Sequence, residues 1–172
     1  HMGEKDYLFK YSPWEESVRV PLVIAGPGVA RNGTCDEPVS LVDLYPTCVD
    51  FAGAVPAHEL DGHSLRPLLQ DPSAGRWTGP PVSVSACASK AAVPQDTPAR
   101  AADQHFSLRS KRFRYIRCRN GEEELYDHRQ DPHEWRNLAD NPESAPVLAQ
   151  MRGYLSDVLA APTGTKPATD AP

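Results

Sequence analysis

The chain has 172 residues and a formal net charge of -5, from 18 Lys+Arg against 23 Asp+Glu. That length suffices for one domain, which would bury roughly 70% of its unfolded surface, and the acidic balance excludes the basic footprint of a nucleic-acid binder. No run of about 18 apolar residues occurs, which excludes a membrane-spanning helix, and the 18 prolines, roughly twice the usual share, predict short elements joined by loops.

In chain order, residues 14–18 predict a single helical turn. Pro21-Leu22-Val23-Ile24-Ala25 is short, apolar and β-branched and stops at Gly26-Pro27-Gly28, the pattern of a buried strand ended by a turn. In residues 39–53, Leu41, Leu44, Cys48 and Phe51 recur at spacings of three and four, which is one face of a helix. Asp43 can cap that helix, Pro46 falls in its first turn and Gly53 can end it. Residues 60–65 predict a turn, and residues 65–69 a short helical piece stopped by Asp71-Pro72.

Residues 71–104 are rich in Pro, Ala, Ser and Thr. Within them residues 82–85 alternate like a strand, and residues 88–103 predict a long loop of the kind that is functional or disordered. Phe106 and Leu108 alternate with Ser107 and Arg109; Phe113, Tyr115 and Arg117 alternate with Arg114, Ile116 and Cys118; Glu123-Glu124-Leu125-Tyr126-Asp127 follows. With turns at Ser110-Lys111-Arg112 and Asn120-Gly121, these make an antiparallel meander that residues 82–85 can extend to four strands. The basic residues between Arg109 and Arg119 read as strand surface, because Glu122 to Glu124 follow at once. Asp131-Pro132 breaks the chain. Val147, Met151, Tyr154, Leu155, Val158 and Leu159 then repeat at helical spacing, so a final helix covers one face of the meander. Residues 162–172 form a polar tail expected to be disordered.

Cys35, Cys48, Cys87 and Cys118 include no Cys-x-x-Cys pair, which argues against a zinc or redox site. Their even number permits disulfides without demanding them. His58, His63, His128 and His133 read as loop residues without ligand spacing. Arg19 and Glu15 could pass for an acid/base pair but read as structural, with Arg19 ordering the turn before residues 21–25. Trp14 is either core or pocket wall. Tyr126, Asp127 and Trp135 read as packing and capping residues.

The block Lys10-Tyr11-Ser12-Pro13-Trp14-Glu15-Glu16-Ser17-Val18-Arg19-Val20-Pro21 carries the functional signal. It resembles the sulfatase segment in which a lysine precedes a Glu, then Val/Thr-Arg-x-Pro, then the last strand of the central sheet. Gly3-Glu4-Lys5, Asp43-Leu44-Tyr45-Pro46-Thr47, Asp61-Gly62-x-Ser64-Leu65, Glu124-Leu125-Tyr126-Asp127, Asp131-Pro132-His133-Glu134 and Asn137-Leu138-Ala139 continue the resemblance. Each is weak alone; their order over residues 1–160 is specific.

The resemblance implies an α/β fold: the C-terminal part of an alkaline-phosphatase-like domain in residues 1–75, a small antiparallel sheet with a terminal helix in residues 76–161, and a tail in 162–172. It implies hydrolysis of sulfate esters of small molecules or glycans, with a formylglycine nucleophile made from a Cys or Ser in Cys/Ser-x-Pro-x-Arg, and with calcium held by acidic residues. That motif and the paired aspartates of the metal site are absent here, so nucleophile and metal ligands are expected upstream, in a missing N-terminal part, and the chain alone is expected to be inactive. His1-Met2 reads as a cloning remnant or as native, and the family pattern favours native. No signal peptide is present, and the compartment is left open. The one matching active-site residue is Lys10, implied to bind the sulfate group. His105, at a strand start after a long loop, is either a pocket residue or a surface histidine, and His1 is a second pocket candidate. A phosphodiesterase or phosphonate monoester hydrolase of the same superfamily is the alternative, and a non-catalytic binding or scaffold module the third.

Overall fold

Four strands, β1 (Ser83–Ala88), β2 (Gln104–Arg109), β3 (Phe113–Arg117) and β4 (Glu123–Asp127), pair antiparallel in chain order in a computed structural model that describes residues 2–8, 10–88 and 104–160. The expected meander with its fourth strand is therefore present. Its register places Val84, Leu108, Tyr115 and Leu125 in one row across all four strands. Successive side chains of a strand point to opposite faces, so this row lies on one face and Ser85, Ser107, Ile116 and Glu124 form a row on the other.

The apolar face is covered by α4 (Ala145–Ala160). Leu148, Met151 and Leu155, at helical spacing, pack with Val82, Phe106, Leu108, Tyr115 and Leu125 into the core, with Val147 and Tyr154 at its margin. Val158 and Leu159, expected on that face, are exposed, because they lie on the last turn beyond the sheet contact. Arg152 Nε donates to Glu123 Oε1 at 2.8 Å and ties the helix to β4. Gly121, at φ 89°, makes the β3–β4 turn as expected of Asn120-Gly121.

The first half is built from short helices. They are α1 (Glu15–Val18), α2 (Leu44–Ala52), preceded by a 3₁₀ turn at Leu41–Asp43, and α3 (Arg66–Gln70). Gly53, at φ 63°, ends α2. Asp43 does not cap α2 in the expected way. Its buried carboxylate accepts from the backbone N–H groups of Ser40 and His63, both at 2.8 Å. It thereby ties the turn at residues 60–65 to the helix start, and the Thr47 hydroxyl adds an acceptor for Leu65 N–H at 2.8 Å. The expected apolar face of α2 is also different: Leu41 and Cys48 are exposed, while Asp43, Pro46 and Thr47 are buried.

Residues 21–25 correct the expectation of a buried strand. They enter no sheet among the described residues, and Leu22 and Val23 are exposed, Val23 at 90%. An apolar β-branched run becomes a strand only where a neighbouring strand offers hydrogen bonds and a cover, and no described element does so. All four cysteines are free thiols. Residues 89–103, the tail 162–172 and His1 lie outside the described residues, so expectations placed there meet no structure.

Candidate functional site

Lys10 sits on the loop between a 3₁₀ turn at Glu4–Asp6 and α1. It is exposed and has no hydrogen-bond or ion-pair partner among the described residues. The loop around it is fastened to the polar face of the sheet on both sides. Before Lys10, Lys5 Nζ donates to the Tyr126 hydroxyl at 3.0 Å and lies 4.4 Å from that ring's centre, a half-buried cation–π contact. After it, the Trp14 indole N–H donates to Glu124 Oε2 at 2.8 Å. The same oxygen accepts from the Tyr126 hydroxyl at 2.6 Å. Burial, followed by these contacts with Glu124, pushes the Tyr126 phenol well above its ordinary range, so it stays a neutral donor. Within the loop, the Tyr7 hydroxyl bridges to the Tyr11 carbonyl at 2.7 Å.

Glu15 carries the main anchor. Its carboxylate receives Arg114 from β3 and lies 3.4 Å from Arg109 Nε of β2. Arg114 also hydrogen-bonds Ser107. Its Nε is 2.7 Å from Glu134 Oε1, yet that N–H is not directed at the oxygen, so the contact is ionic rather than a hydrogen bond. Glu134 Oε2 accepts from Glu15 N–H at 3.0 Å, and His128 Nε2 lies 2.8 Å from Glu134 Oε1. Two carboxylates thus meet two guanidiniums in a largely buried site at the floor of a cleft, and pairing is how buried charges are tolerated. Burial opposes the charge of Glu15, but the charge and hydrogen bond of Arg114, then Arg109, outweigh it and hold the carboxyl below its ordinary value. Burial weakens the hold of Arg109 on its proton, with Glu15 opposing.

This cluster was not legible as such. Arg114 was expected on the strand surface and is 2% exposed. His128, expected in a loop, contacts Glu134, and Arg19, expected to order the next turn, stands only 3.9 Å from Glu15 at the exposed rim. The available signal was strand parity, which puts Arg114 on the face of Ser107 and Ile116 rather than in the apolar row. Tyr126 and Asp127 are buried as expected, Asp127 accepting from Arg112 Nε at 3.0 Å. Trp135 is instead 66% exposed. Asp131 takes its backbone N–H and fixes the turn without burying the ring.

His105 is half-buried on β2 opposite Cys87, and its Nδ1 accepts from Arg119 N–H at 3.3 Å. No hydrogen bond or ion pair joins it to Lys10. An open cleft of about 880 Å³ lies between residues 18–22, residues 35–41 and the start of the sheet, with Arg19, Glu37, Ser85, Arg109 and Arg129 in its walls; neither Lys10 nor His105 lines it. The ligand atoms of Glu15, His128 and Glu134 lie within 4.8 Å of one another. They do not fit a divalent metal, because the Arg114 guanidinium already stands between the two carboxylates and would repel a second cation.

The chain matches the model of the family described as N-sulphoglucosamine sulphohydrolase, C-terminal, over residues 3–84 and 92–161. It is 34% identical over 146 residues to arylsulfatase K of Mus musculus, covering 79% of this chain and 24% of that protein. It is 34% identical over 157 residues to a choline-sulfatase of Rhizobium meliloti, covering 89% of this chain and 28% of that protein. Among solved structures it resembles a 2-O GAG sulfatase at TM-score 0.60 and 29% identity, covering 78% of this chain and 28% of that one. A phosphonate monoester hydrolase from Silicibacter pomeroyi resembles it at TM-score 0.60 and 26% identity, covering 78% and 27%. The chain therefore spans about a quarter of the length of the proteins it matches.

Proposed function

The chain belongs to the N-sulphoglucosamine sulphohydrolase C-terminal family, and from that premise we propose that the whole protein hydrolyses sulfate esters with Lys10 as a sulfate-binding cation. The observation that carries the reading is Lys10 itself. It is a lysine at the position implied by the family pattern, unpaired among the described residues, on a loop tied down at both feet. A sulfuryl group in transfer carries negative charge on its oxygens. An ammonium held in place stabilises that charge without reorganising, whereas a lysine already paired to a carboxylate would not be available.

In this reading residues 1–75 close the catalytic α/β domain and residues 76–161 form the C-terminal subdomain that supports it. The exposed apolar run at residues 20–23 and the exposed Leu41, Val42 and Tyr45 meet the N-terminal part of the same polypeptide. A formylglycine and a divalent metal, calcium, supply nucleophile and Lewis acid from residues outside this chain, since the residues present fit neither. The substrate is a sulfated small molecule or glycan. His105, whose Nδ1 accepts from Arg119 N–H, is kept as a pocket residue; His1 is kept as a second pocket candidate. The likeness to a phosphonate monoester hydrolase favours one second reading, hydrolysis of phosphonate or phosphate esters through the same lysine.

The test is Lys10→Ala in the intact enzyme with an aryl sulfate. Loss of a preorganised charge contact predicts a fall in kcat of about 10²- to 10³-fold with an unchanged melting temperature. A kcat within twofold of wild type sinks the assignment of Lys10.

A further inference from the structure

Glu134 is the most constrained acidic residue among those described. It is 1% exposed, and its backbone stands at φ 60°, the left-handed region that side chains other than Gly, Asn and Asp rarely occupy. Residues held in such conformations cluster where the surroundings need them there. Its N–H donates to the Asp131 carbonyl within the turn at 3.2 Å, and its carboxylate reaches out of that turn. One oxygen contacts His128 Nε2 at 2.8 Å and Arg114 Nε at 2.7 Å, and the other accepts from Glu15 N–H at 3.0 Å, across 119 residues of sequence. That backbone N–H belongs to the first residue of α1, where no intrahelical partner exists. Glu134 therefore supplies a helix cap from a distant segment, and in doing so fixes where the Lys10 loop ends. The acid is also the shared counter-ion of Arg114, which holds the Glu15 side chain. Backbone and side chain of Glu15 are thus both set by one carboxylate.

We propose that Glu134 is a positioning residue for Lys10: by holding Glu15 it sets the position of the Lys10 ammonium against the sulfate group. This rests on the reading of Lys10 as the sulfate-binding cation. A carboxylate that merely stabilised the C-terminal subdomain would change folding stability but would not distinguish a lysine from an alanine at position 10. A positioning carboxylate does distinguish them, because a displacement of about 1 Å at a reacting group costs about 10²-fold in rate.

The experiment is a double-mutant cycle in the intact enzyme with an aryl sulfate. It measures kcat and KM for wild type, Glu134→Gln, Lys10→Ala and the double variant, well below the melting temperature of each. Gln is isosteric, but its amide presents a donor toward Glu15 N–H or Arg114 and removes the counter-ion. The expected result is a fall in kcat/KM of about 10- to 100-fold for Glu134→Gln in the presence of Lys10, and no further fall in the Lys10→Ala background. An equal fall in both backgrounds, or none in either, overturns the proposal. A Lys10→Ala variant as active as wild type overturns the reading of Lys10 and this proposal together, so the two failures are told apart by the single variant. Where Glu134→Gln does not fold, Glu134→Asp serves in the same cycle, since it keeps the charge and withdraws the carboxylate by one methylene. It is expected to show a smaller loss that likewise vanishes without Lys10, and a loss that persists there overturns the proposal.

Discussion

Replacing Arg114 by Met removes the cation from the centre of the buried cluster and keeps a side chain of similar length. Arg114 is 2% exposed, and the side chains of its partners Glu15 and Glu134 are 11% and 2% exposed. After the substitution two carboxylates face each other, with Arg109 and the exposed Arg19 near Glu15 and His128 against Glu134 as the partners left. Breaking a buried ion pair by removing one partner costs about 3–5 kcal/mol, because the remaining charge is left uncompensated. In a domain of this size that lowers the melting temperature by about 6–20 °C. Urea unfolding of the chain at pH 7, followed by tryptophan fluorescence, measures it; Trp14 reports from beside the cluster. The penalty should shrink at acid pH, because the stranded carboxylates then protonate and lose their repulsion. A loss below about 1 kcal/mol, the scale of an exposed pair, with no dependence on pH, would refute the claim that this network bears the contact between the Lys10 loop and the sheet.

Acid should destabilise the unmodified chain as well. Burial opposes the charge of Glu15 but Arg114 prevails; Arg112 lowers Asp127 and Arg152 lowers Glu123, each chiefly by a hydrogen bond. These carboxyls sit below their ordinary values of 4.5, 3.8 and 4.5, so their contribution is present above those values and lost as pH falls through the folded ones. A urea midpoint that stays flat from pH 6 to about pH 3 would contradict this. Gly62→Ala should cost about 1–3 kcal/mol by overpacking, because a Cβ there would lie 2.4 Å from the Val42 carbonyl oxygen; an unchanged urea midpoint would show that the turn can give way.

The antiparallel sheet and α4 were legible because their signals are local. Alternation in residues 106–109 and 113–117, the Asn120-Gly121 turn and the helical spacing of Leu148, Met151 and Leu155 act within one element or between neighbours. Residues 21–25 misled because a buried-strand composition states only that a cover is needed, not where it comes from. The cluster of Glu15, Arg114 and Glu134 was hidden for a different reason. Its members are far apart in sequence, and an arginine in a basic run looks solvated unless strand parity is followed to the face it occupies. Glu134 stood in the sequence only as one letter of the Asp131-Pro132-His133-Glu134 motif, and neither its left-handed backbone nor its partners 119 and 20 residues away can be read from that motif. Lys10 was singled out as a candidate through the order of its flanking residues, and the structure adds what that order could not: contacts of Lys5, Trp14 and Glu15 with the sheet and Glu134 flank the lysine, which is itself exposed.

The central claim, that this chain completes a sulfate-ester hydrolase, is tested most directly by the turnover of matched aryl esters by the intact enzyme. Measured side by side, kcat/KM for an aryl sulfate should exceed that for the corresponding phosphate diester and phosphonate monoester, and all three should fall with Lys10→Ala. The 172-residue chain by itself should turn over none of them. An intact enzyme that prefers the phosphonate or the diester, or that cleaves no sulfate, would contradict the account.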